Sequence, residues 1–66
     1  MIKVNKKMVD KFLQIMDEYG EFVFGNYKQI KDQLQACLNF QGYWSGCSIR
    51  VYYNEETKEF TVKNRF

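Results

Sequence analysis

Between Lys6 and Gly20 the chain reads KKMVDKFLQIMDEYG, and its apolar residues recur at the three- and four-residue steps of a helix. Met8, Phe12, Ile15 and Tyr19 form one stripe, with Val9, Leu13 and Met16 beside it. That is wider than the single face of an ordinary surface helix, so the pattern predicts burial on two sides or a contact beyond the monomer. Asn5 stands where an N-cap belongs and Gly20 where a helix stops.

A second helical period runs through YKQIKDQLQACLNF, with Tyr27, Ile30, Leu34, Cys37 and Leu38 on its stripe. Asn26 and Gln29 have the spacing of a capping box, and Lys28 with Asp32 makes an i,i+4 pair on the wet side. Between the helices, EFVF reads either as a short strand at residues 21–24 or as an extended connection that puts Phe22 and Phe24 in the core. The GN that follows marks a turn. Residues 1–4 read as a short strand or a tail.

The period then changes to two. In CSIRVYY, Cys47, Ile49, Val51 and Tyr53 alternate with Ser48, Arg50 and Tyr52. NEETKE is a polar turn, and FTVKN returns with Phe60 and Val62 facing the same way as the first set. Lys58 occupies a position where such turns often place glycine, which predicts a positive φ there. The elements give an α+β fold: one domain over residues 1–66, two helices followed by a C-terminal antiparallel β-hairpin, with room for an extra short strand near 21–24. The expected core is Phe12, Leu13, Met16, Ile30, Leu34, Leu38, Ile49, Val51, Phe60 and Val62.

The corner FQGYWSGCSIRVYY, where helix gives way to strand, packs aromatics, glycines and a thiol together. Gly42 can end the helix and Gly46 can open the turn into the strand. Trp44 between them is either a lid on the core with its N–H wet, or an exposed anchor for a partner. Cys37 and Cys47 both stand where a small hydrophobe belongs, so reduced, buried thiols are expected over a disulfide or a reactive site. Two cysteines and no histidine do not make a zinc site, and a cysteine nucleophile would lack its usual base. No metal or cofactor is expected.

Composition narrows the function. A chain of 66 residues buries only about 60% of its unfolded surface. Six Phe, five Tyr and one Trp are hard to hide in so small a body, which predicts aromatics at a surface used for a partner or for self-association. The surplus on the first helix predicts a homodimer. The net charge of +2 is spread along the chain, with no basic block of the kind found in nucleic-acid arms. No apolar run reaches the length of a membrane span and no signal-peptide core appears, so a cytoplasmic protein is expected. Heavy use of Lys, Asn, Ile, Phe and Tyr without Pro fits an AT-rich genome, such as that of a low-GC bacterium or its phage.

The acids fall on polar helix faces or in the hairpin turn, and there is neither a phosphate-binding glycine loop nor a Ser-His-Asp set. A non-enzymatic protein-binding module is therefore expected, of the kind that inhibits or adapts a host protein one-to-one. The alternative is a small nucleic-acid binder using the outer face of the hairpin, where an aromatic and two cations echo single-strand platforms. The candidate partner-binding residues are Tyr43, Trp44, Arg50, Tyr52 and Lys63.

Overall fold

Asn5 accepts a hydrogen bond from Met8 N (2.9 Å) and starts helix α1, Lys6–Glu18. The Asn26 side chain and Gln29 cap each other's backbone at the start of helix α2, Tyr27–Gln41, forming the reciprocal box. Gly42 ends α2 in the left-handed conformation (φ 73°), and its N–H donates to Leu38 O. The computed structural model describes residues 2–46 and 48–64.

Three strands follow: β1 Tyr43–Ser45, β2 Ile49–Asn54 and β3 Glu59–Asn64. They form one antiparallel sheet in the order β1-β2-β3. In the β2–β3 hairpin Val51 lies opposite Val62 and Tyr53 opposite Phe60. The Asn54 side chain accepts from Glu56 N and Thr57 N to shape the turn, which closes on Lys58 at φ 58°. The architecture is α+β, with the third strand at residues 43–45.

Both helices pack on the sheet face that carries Trp44, Ile49 and Val51. Val9, Phe12, Met16, Leu34 and Val51 are almost completely buried between the layers. Ile30, Leu38 and Ile49 join them, while Leu13, Phe60 and Val62 are half-buried at the rim. Val4, Met8, Val9 and Trp44 complete the core; Met8 and Val9 lie on the apolar side that the helical period marks, while Val4 and Trp44 lie outside the helices. No helix among the described residues is long and apolar enough to cross a membrane.

Three expectations are corrected. Residues 21–24 form no strand, because no neighbouring strand lies in register to take their hydrogen bonds. Within that segment it is Val23 that packs against the core, while Phe22 and Phe24 are 83% and 84% exposed. Tyr27, at the first position of α2, is 41% exposed. Its phenol is pushed above the usual value of 10, first by desolvation and then by the Asp10 carboxylate. Cys37 is a free thiol, half-buried beside the core, and Cys47 lies outside the described residues.

The N-terminal segment is extended and strapped to α2 by one side chain. Gln35 Oε1 accepts from Val4 N at 2.7 Å, and Gln35 Nε2 donates to Ile2 O and to Asn39 Oδ1. Val4 is thereby held in the core.

Candidate functional site on the outer sheet face

Strand alternation sends Tyr43 and Ser45 of β1 to the face away from the helices, together with Arg50 and Tyr52 of β2 and Thr61 and Lys63 of β3. The register arranges them in two rows across the sheet. Tyr43, Tyr52 and Thr61 stand in one, and Ser45, Arg50 and Lys63 in the other. The two tyrosine rings lie 5.1 Å apart, centroid to centroid, tilted by 38°.

The cations are placed unusually. Arg50 and Lys63 are direct cross-strand partners, an arrangement of like charges that costs stability. Each turns away onto a diagonal ring: the Arg50 guanidinium carbon sits 5.7 Å from the Tyr43 centroid, and Lys63 Nζ sits 5.4 Å from that of Tyr52. Neither cation has a carboxylate partner among the described residues. Arg50 Nε is buried and makes no hydrogen bond. The face is thus an aromatic pair carrying two positive charges that no carboxylate pairs with among the described residues.

Four of the five residues singled out from sequence meet here: Tyr43, Arg50, Tyr52 and Lys63. Trp44 does not. It projects from the opposite side of β1, across from Val51, is 9% exposed, and meets Phe12 edge-on at 5.2 Å and 79°. The core-lid alternative describes it, and the anchor alternative does not. Reading YWS as a third strand would have sorted these residues by parity: Tyr43 outward, Trp44 inward. Ser45 and Thr61 join the face as polar neighbours.

Among the described residues no group of three His, Cys, Asp or Glu side chains could hold a metal ion. No protein family, curated protein or solved structure matches this chain.

Proposed function

We propose that this chain is a small non-enzymatic module that binds an acidic surface of a partner protein through Tyr43, Arg50, Tyr52 and Lys63. The observation that carries the reading is Arg50 opposite Lys63, with neither paired to a carboxylate among the described residues. A like-charged pair weakens the free protein, and a partner carboxylate placed between the two rows would relieve it while the rings supply apolar contact area. Tyr and Arg are also the residue types that dominate binding hot spots. Size and composition support a one-to-one inhibitor or adaptor acting in the cytoplasm of a low-GC bacterium, encoded there or by a phage.

A second reading has its own observation. Two adjacent rings flanked by cations are what a single-stranded nucleic acid stacks on. We place it second because a cation already covers each ring, and because two charges on this face neutralise few phosphates.

Capture from a bacterial lysate with immobilised protein, repeated after nuclease treatment and across a salt series, separates the two. The protein reading expects a protein that survives nuclease. Its affinity should fall about 30-fold or more in Tyr52→Ala, the tenfold steps of a hot spot worth about 2 kcal/mol. Recovery of nucleic acid instead, with a salt slope that drops by about one in Arg50→Ala and again in Lys63→Ala, would overturn it in favour of the second. Thermal melts of each variant check that the fold is intact.

A further inference from the structure

The helix connection carries a cluster of exposed aromatic side chains beside a hollow. Phe22 and Phe24 are 83% and 84% exposed and stack on each other at 6.1 Å and 18°. Tyr19 and Tyr27, at the two ends of the same segment, are 48% and 41% exposed. Beside Phe22 is a shallow hollow of about 300 Å³ floored by Leu13, Met16 and Val23, with Asp17 and Glu21 on its lining. Phe24 does not line that hollow.

We infer that this surface pairs with a second copy of the chain around a two-fold axis, each Phe24 entering the hollow of the other. A two-fold contact needs one patch that is complementary to itself. Here the knob and the hole sit on one segment. The charges are divided in the same sense: Asp17 and Glu21 line the hollow, while Lys28 and Lys31 follow Phe24 in the first turns of α2. Seating Phe24 in the partner's hollow carries its own Lys28 and Lys31 to the partner's acids, so both halves of the contact gain opposite charges.

The four exposed rings offer roughly 500 Å² per copy, since each buries about 150–250 Å² when fully covered. Two copies then bury roughly 1,000 Å² in total, the small class of interface that gives weak, reversible pairing. The segment shares no residue with Tyr43, Arg50, Tyr52 and Lys63, so self-association and partner binding use different side chains.

Sedimentation of the full chain from micromolar to millimolar concentration tests the pairing. The expected result is a monomer–dimer equilibrium, with Phe24→Ser raising the dissociation constant about 30-fold or more. Phe24 is exposed in the single chain, so this variant should melt as wild type does under dilute conditions where only monomer is present. Asp17→Lys and Lys28→Asp should each weaken the dimer, and together restore it. A monomer at every concentration, or self-association untouched by Phe24→Ser, would overturn the proposal, and a double swap as weak as the single ones would overturn the charge pairing. Phe40→Ser, at a residue 89% exposed in the last turn of α2, should leave the equilibrium unchanged, and its loss of dimer would move the interface elsewhere and sink the assignment.

Discussion

Trp44 and Gly46 show how one residue's size fixes its neighbour's identity. A Cβ on Gly46 would lie 2.5 Å from both Cη2 and Cζ3 of the indole ring, closer than such atoms approach. The ring lies there because Phe12 holds its other side edge-on and Val51 faces it across the strands. Gly46 N also donates to Ile49 O at 2.9 Å, closing the short connection from β1 to β2. Gly46→Ala must therefore move the indole or the connection, an overpacking cost of about 1–3 kcal/mol. Denaturant unfolding should show that loss, while Ser45→Ala, one residue away and exposed, should change little. A Gly46→Ala protein with the wild-type midpoint would mean that the ring has room to shift.

At the scale of elements, what was legible in the sequence was what local rules determine. Asn5, the Asn26–Gln29 box, Gly42 and the positive φ of Lys58 each follow from contacts within a few residues. The hairpin's two faces follow from alternation, which is why Arg50, Tyr52 and Lys63 fall on one surface; Tyr43 joins them only through the pairing of β1 with β2. Residues 21–24 were misread because alternation means something only where a partner strand sets the register, and that segment has none. Trp44 is ambiguous in the sequence for a related reason: β1 is three residues long and its connection to β2 has the composition of a loop. The Gln35 strap could not be read at all, since its bonds to residues 2 and 4 span 33 and 31 positions and glutamine has no pattern that announces such a role. It yields a prediction of its own. Gln35→Ala removes the side-chain acceptor of Val4 N and the donor to Ile2 O, which should cost about 1–3 kcal/mol if the freed groups stay buried. Hydrogen exchange at Val4 should speed up while α2 remains protected. Unchanged exchange at Val4 would show that packing alone holds the segment.

For the whole molecule, the decisive quantity is how little core there is. Phe12 and Trp44 are the aromatics buried in it, and Phe22, Phe24 and Phe40 remain outside. A domain of 66 residues has a total stability of only about 3–10 kcal/mol at the usual 0.05–0.15 kcal/mol per residue. Leu34 is the deepest contribution of α2 to the core, at 1% exposure. Truncating such a leucine to alanine costs about 2–5 kcal/mol, which is a large share of that total. Leu34→Ala should therefore lower the melting temperature steeply and leave a substantial unfolded fraction, and partner binding and self-association should decline together. Tyr52→Ala and Phe24→Ser alter different surface side chains of an intact fold, so each should remove one property and spare the other. Thermal melts read alongside the two binding assays separate these outcomes. A Leu34→Ala protein that melts like wild type would show that the helix does not rest on the sheet through this face.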